Sequence, residues 1–229
     1  MQNYAVILSG GIGSRINAKI PKQFLKLAGK TILEHSFDAF SGNKNINKIV
    51  IVSAPNYLTQ TKELIKNDKL LNVIQGGKAR ANSVYNALQF LNNLDLTNND
   101  NILIHDAARP LVSQNIINNC INNLQTCKAV NVCVPSTNTL IEVNKGFVKT
   151  ILDRSKIMQV QTPQGFNFKT LFNAYSKASA GEDISHFSDD CSLFLKYEPN
   201  HKINIIKGEE RNIKVTYQLD LDILNFLHK

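Results

Sequence analysis

Short apolar runs recur along the chain, and longer stretches with a single apolar face lie between them. The runs YAVIL at 4–8, KIVIVS at 48–53, LNVIQ at 71–75, NILIH at 101–105 and AVNVCVP at 129–135 are near-continuous and rich in β-branched residues. Strands covered on both faces have that composition. Between them, ILEHSFDAF at 32–40, YLTQTKELIK at 57–66, ANSVYNALQFL at 81–91 and SQNIINNCINNLQ at 113–125 place apolar residues at helical spacing. The alternation predicts an α/β fold: an open, mostly parallel sheet with right-handed crossovers and helices on both faces. The stretch STNTLIEVNKGFVKTIL at 136–152 breaks the rhythm, with two alternating segments around Asn-Lys-Gly, the chemistry of a tight turn. It reads as a projecting β-hairpin arm at about 136–152, serving either oligomerisation or surface decoration.

Composition narrows the picture. At 229 residues and 43% hydrophobic, the chain can build one large domain over 1–229, and no Pro/Ser-rich linker divides it. NNLDLTNND at 92–100 reads as a surface loop. No run approaches a membrane span, and the first strand leads straight into glycines rather than out of a signal peptide, so a cytoplasmic location is expected. Cys120, Cys127, Cys133 and Cys191 form no CxxC pair and have no His at zinc-ligand spacing, as expected of reduced thiols. The net charge of +8 raises the question of nucleic acid. The lysines are dispersed and no aromatic residues interleave them, so no nucleic-acid partner is expected. Steering phosphorylated substrates toward a cleft accounts for the same charge.

The chemically suggestive residues fall at carboxyl ends of strands, where open α/β sheets bind ligands. Gly10, Gly11 and Gly13 follow the first strand in LSGGIGSR (8–15), Gly76 and Gly77 follow the third, and Asp106 follows the fourth. The first loop lacks the third glycine of a dinucleotide fingerprint, and no Walker A pattern is present. It carries Arg15 and, seven residues on, Lys22 behind Pro21. Two cations beside oriented N–H groups suit a triphosphate whose charge rises at the α–β bridge as it breaks. A plain glycine turn with two surface cations would look the same. In HDAARP (105–110), Asp106 leaves the sheet where phosphates would lie, and would be repelled there unless a divalent cation such as Mg²⁺ intervened. Ala107 and Ala108 keep that turn small, Arg109 restores positive charge, and His105 reads as a packed core histidine. GGKARANS (76–83) permits close backbone approach, with Arg80 and Ser83 opening the next helix; base recognition or an ordinary strand-to-helix turn would both use it. Downstream, Thr162-Pro163 reads as a rigid polar turn. Lys214, on a short apolar strand pattern in ERNIKVT (210–216), reads as a grip for a second phosphate.

With GGIGSR…PKQF, GG…R…S, HDAARP, DR…QTPQ.F, SDD.S and NIKVT in order, the chain resembles a cytidylyltransferase of the 2-C-methyl-D-erythritol 4-phosphate / ribitol 5-phosphate family over essentially its whole length. Each motif alone is weak, and the six together are specific. The resemblance implies a Rossmann-like nucleotidyltransferase fold whose substrates are CTP and a polyol phosphate. It implies that Leu8, Ser9, Gly10, Gly11 and Gly13 cradle CTP, with Gly77, Arg80, Ser83 and Ala107 completing the nucleotide site. Arg15, Lys22, Asp106 and Lys214 would be catalytic, with Asp106 near Mg²⁺. Arg109, Thr162, Ser188 and Lys214 would serve the acceptor, while Thr139 and Arg154, on the arm and its base, would reach it across a homodimer. The acceptor phosphate would attack the α-phosphorus of CTP and release pyrophosphate, a reaction of alignment and charge neutralisation that needs no general base. HDAARP resembles the methylerythritol branch and Gly10 the ribitol branch. Asn138 stands where both usually place aspartate, and Met158 where the former often has tryptophan. Methylerythritol phosphate, an isoprenoid precursor, is the expected acceptor; the alternative is ribitol 5-phosphate or a related sugar phosphate for surface polysaccharide.

Overall fold

In the computed structural model the described residues are 1–11, 16, 20–94 and 96–227. In chain order the strands are β1 (Asn3–Ser9), β2 (Lys26–Leu27), β3 (Lys30–Thr31), β4 (Lys48–Ser53), β5 (Leu70–Gln75), β6 (Asn101–Asp106), β7 (Ala129–Pro135), β8 (Ile141–Asn144), β9 (Phe147–Ile151), β10 (Met158–Asn167) and β11 (Asn204–Lys207). The helices are α1 (Ile32–Ser41), α2 (Leu58–Leu64), α3 (Arg80–Asn92), α4 (Gln114–Asn123), α5 (Phe168–Gly181), α6 (Asp190–Tyr197) and α7 (Gln218–Leu227). The main sheet runs β11-β7-β10-β6-β1-β4-β5. Its neighbours pair in parallel except around β10, which is antiparallel to both β6 and β7.

Side chains alternate across each strand, and the two faces carry separate cores. Ala5 and Ile7 of β1, with Ile49, Ile51 and Leu103, pack under α1 and α4 through Leu33, Phe37, Phe40, Ile116 and Ile117. Val6, Val50, Val52, Ile102, Ile104 and Phe166 pack on the other face under α3, α5 and α6, through Val84, Leu88, Leu171, Tyr175 and Phe194. A smaller cluster seats α7, with Leu221 and Leu224 against Leu27, Ile32 and Val215. Helix starts follow local chemistry. Thr31 and Glu34 form a reciprocal capping box on α1, and the Ser113 and Asn167 side chains accept from the first turns of α4 and α5. Among the described residues, no helix is long and apolar enough to cross a membrane.

The five strands and four helices read from periodicity are present, with ends shifted by no more than a few residues. Three features differ from the sequence reading. Thr162-Pro163 is no turn: it lies inside β10, at an irregularity where the register with β7 shifts between Val160 and Gln164. A proline is tolerated there because the ladder already skips a donor. Lys214 is in a loop rather than on a strand, its neighbour Val215 donating to the Ala108 carbonyl at 2.8 Å. The chain after 167 also adds α5, α6, β11 and α7, which the periodicity reading did not delimit. The arm is a hairpin, β8–β9, turning through Lys145 (φ 48) and Gly146 (φ 84), positive values of the kind that tight hairpin turns use. All its strand residues are exposed.

Gly165 of β10 faces α4 so closely that a Cβ would stand 2.7 Å from Val130 Cγ2 and 3.0 Å from Leu124 Cδ1. Gly165→Val should therefore overpack this layer and cost about 1–3 kcal/mol of stability. The urea midpoint reads it; an unchanged midpoint would mean that α4 yields freely.

Candidate active site

The chain lays down β1, β4 and β5 outward on one side, then returns to place β6 on the other side of β1. Strand order reverses there, so a crevice opens beyond the carboxyl ends of β1 and β6. It holds two adjoining cavities. The larger, about 420 Å³, is lined by Leu8, Ser9, Gly10, Gly11, Lys22, Gln23, Val52, Gly77, Lys78, Ala79, Arg80, Ser83, Asp106, Ala107, Ala108 and Lys214. The smaller, about 190 Å³, is lined by Arg80, Asp106, Arg109, Val160, Gln161, Thr162, Gln164, Ser188, Asp189 and Lys214. Arg80, Asp106 and Lys214 belong to both. They are the partition.

Asp106 is buried at the end of β6, with Lys214 Nζ 2.6 Å from Oδ2 and Arg80 Nε 3.6 Å from Oδ1. Burial works against its ionisation, but the Arg80 guanidinium, the Lys214 ammonium and Arg109 together hold its carboxyl well below the usual range. The backbone beneath it is fixed by a directed chain. Asp106 N–H donates to Thr162 Oγ1 at 3.1 Å, and Thr162 Oγ1 lies 3.0 Å from His105 Nδ1. His105 Nε2 lies 3.1 Å from the Arg109 carbonyl. Because a carbonyl only accepts, Nε2 carries the ring proton and Nδ1 accepts from the threonine hydroxyl. His105, fully buried against Phe40, is thus a neutral brace. Burial pushes its pKa down to about 4.

The surrounding loops are tied by main-chain contacts. Lys22 opens a short 3₁₀ turn behind Pro21 and donates to the Val215 carbonyl at 2.8 Å, and Gln23 donates to the Ser9 carbonyl at 2.8 Å. Gly77 N–H donates to Ser83 Oγ at 3.0 Å, and a Cβ on Gly77 would stand 2.4 Å from Asn82 Cβ, so this loop folds only with glycine. Arg109 is half-buried, its Nη1 donating to the Asn212 carbonyl (2.7 Å) and its Nη2 to that of Val160 (3.2 Å). Asn212 in turn donates to Gln161 Oε1 and the Thr162 carbonyl.

The larger cavity gathers Leu8, Ser9, Gly10, Gly11, Lys22, Gly77, Arg80, Ser83, Asp106 and Ala107, together with Lys214, which the sequence reading gave to a second phosphate. The smaller gathers Arg109, Thr162 and Ser188. Arg80, expected only near the base, lies in both. Gly13 and Arg15 lie outside the described residues. Thr139 and Arg154 line neither cavity: both are exposed beside the arm, with Arg154 Nη1 donating to the Thr137 carbonyl at 3.0 Å. Sequence reasoning did not single out Gln23, Gln161, Gln164, Asp189 or Asn212. All five stood inside quoted motifs, but nothing local marks a side chain that acts through long-range contacts.

Comparison with known proteins finds relatives along nearly the whole chain. The family model of IspD, 2-C-methyl-D-erythritol 4-phosphate cytidylyltransferase, matches residues 4–229. A 2-C-methyl-D-erythritol 4-phosphate cytidylyltransferase of Thermobifida fusca is 37% identical over 97% of this chain and 92% of its own length. The bifunctional ribulose 5-phosphate reductase/CDP-ribitol pyrophosphorylase Bcs1 of Haemophilus influenzae is 38% identical over 99% of this chain, which spans 48% of that protein. The crystal structure of 4-diphosphocytidyl-2C-methyl-D-erythritol synthase from Anaerococcus prevotii superposes with a TM-score of 0.84 at 28% identity, covering 100% of this chain and 99% of that one.

The neutral brace makes stability depend on pH. The unfolded chain protonates His105 below about pH 6.5, whereas the native state does so only near pH 4. Its contribution is complete above pH 6.5 and is lost as pH falls from there to about 4. In EDTA, the unfolding free energy should drop over that window by about 3 kcal/mol more for the native sequence than for His105→Asn. Equal pH slopes would assign the titration to other groups.

Proposed function

Because the chain belongs to the 2-C-methyl-D-erythritol 4-phosphate cytidylyltransferase family and is a CTP-dependent nucleotidyltransferase, we propose that its acceptor is 2-C-methyl-D-erythritol 4-phosphate. The observation that carries this reading is the pair of cavities sharing Arg80, Asp106 and Lys214. Transfer from a nucleotide to a phosphate needs two anions brought together, with the cations where they meet. The larger cavity, with its glycine loop and Lys22, takes CTP. The smaller suits a polyol phosphate: Arg109 and Lys214 face its phosphate, and Thr162, Gln164, Ser188 and Asp189 offer hydrogen-bonding partners for hydroxyls.

An oxygen of the acceptor phosphate attacks the α-phosphorus of CTP and forms the new P–O bond. The α–β bridging bond breaks, and its electron pair leaves on pyrophosphate. The acceptor monoester is already ionised at neutral pH, so the neutral, buried His105 takes no proton. Lys22, Arg80 and Lys214 neutralise the charge that gathers on the transferring and leaving groups. Among the described residues no three His, Cys, Asp or Glu side chains form a standing metal site. Asp106 alone fits a cation that arrives with the triphosphate, since Mg²⁺ takes one or two carboxylates plus substrate phosphates. It would supply further charge neutralisation, and Asp106 would meet it. Unpaired cysteines and a nucleotide substrate suit a cytoplasmic location.

A second acceptor, ribitol 5-phosphate, is favoured by the similarity to the Haemophilus enzyme. We further propose a homodimer through the arm. Phe147 is 77% exposed and Ile151 68%, on a two-stranded hairpin of a size that is marginal without a partner. A second copy seated there would bring Thr139 and Arg154 to a neighbouring acceptor cavity.

Purified protein with Mg²⁺, CTP and methylerythritol 4-phosphate should release pyrophosphate, and ribitol 5-phosphate should be the poorer acceptor. Lys214→Ala should lower kcat by about a hundred- to a thousand-fold with the fold intact. A reversed acceptor preference selects the second reading, and release with neither rejects both. Sedimentation should show a dimer that Phe147→Asp with Val148→Asp converts to monomer; a dimer surviving both changes would place the interface elsewhere.

A further inference from the structure

Arg80 stands in the wall between the cavities, and Asp190 and Tyr175, which hold it from behind, line neither. It is the first residue of α3. Behind it lies Asp190, the first residue of α6, fully buried. Asp190 Oδ2 accepts from Arg80 Nη2 at 2.7 Å, and Oδ1 accepts from the Tyr175 hydroxyl at 2.6 Å. Tyr175, on α5, is also fully buried, and the Asp190 N–H donates to Gln164 Oε1 at 3.2 Å. Three helices therefore meet on one carboxylate, and β10 holds the backbone of the same residue.

Stability does not account for this arrangement. A buried ion pair costs desolvation that a packed apolar cluster of the same volume would avoid. The gain lies in direction. With Nη2 tied to Asp190 and Nε turned toward Asp106, the planar guanidinium has a fixed orientation, and among the described residues its buried Nη1 has no hydrogen-bond partner. A guanidinium of fixed orientation at a junction of two anion sites presents its charge to a phosphoryl group held there.

We propose that Asp190 and Tyr175 are positioning residues that orient the Arg80 guanidinium toward the phosphoryl group in transfer. The proposal rests on the reading of the two cavities as nucleotide and acceptor sites. Tyr175 contributes through the one carboxylate oxygen it occupies: without its hydroxyl, Asp190 can rotate and Arg80 follows.

Tyr175→Phe removes one oxygen and no carbon, so it preserves the core. It should lower kcat about ten-fold while changing the KM for CTP less than two-fold. In an Arg80→Lys background it should have no further effect on kcat, because the group it orients is gone. Unchanged kcat, a loss confined to KM, or a full ten-fold loss in the Arg80→Lys background would each overturn the proposal. NMR of the Arg80 guanidinium in substrate-free protein tests the orientation without turnover. Rotation about Nε–Cζ should be slow in the native sequence and fast in Tyr175→Phe, and slow rotation in both overturns the proposal. Absence of turnover with either acceptor would count against the cytidylyltransferase reading, and the NMR comparison would then decide the positioning role alone.

Discussion

A carboxylate buried at the end of a central strand can stay ionised only if cations surround it, and the architecture of this protein follows from meeting that condition for Asp106. The partners come from three places in the chain: the start of α3, the turn after β6, and the loop before α7. Each therefore has to be held to the sheet by contacts of its own. Val215 is pinned to Ala108, Arg109 to Asn212 and Val160, and Arg80 to Asp190. The resulting cluster carries more positive than negative charge, and the surplus is what two phosphorylated substrates need.

The reversed strand β10 is the second structural decision. Running against its neighbours, it starts at the end of the sheet where the others finish, so Val160, Gln161 and Thr162 reach the crevice that β1 and β6 open. The arm, which spans β7 to β10, consequently leaves the sheet beside the smaller cavity. Thr162 links the two decisions, since its hydroxyl oxygen receives the Asp106 amide and its proton goes to His105.

Much of this was legible in the chain. β-branched runs located the parallel strands because burial on both faces leaves no polar alternation, and the loops after β1, β5 and β6 were marked by glycine or by a carboxylate no strand would bury without cause. Pro163 and Gly165 hid β10, because their rules forbid a regular ladder and are satisfied only by a register shift supplied by β7. Lys214 was rightly singled out as an awkward cation among apolar neighbours, but its apolar flank Val215 packs on α7 rather than in a sheet. The Tyr175–Asp190 contact had no local sign at all: tyrosine and aspartate are fifteen positions apart, and only the packing of α5 on α6 joins them.

The pairing of Asp106 with Lys214 spans 108 positions, and this bears on the order in which the protein can be made. At ribosomal speeds of about 5–20 residues per second, the lysine emerges about 5–20 seconds after the carboxylate. Through that interval β1, β4, β5 and β6 can already assemble, since each pairs within the first half of the chain. The crevice, however, still lacks a wall, and Asp106 has to keep its water. A nascent chain can thus own a nearly finished scaffold and no binding pocket, which withholds nucleotide from it until the last fifteen or so residues before α7 have docked.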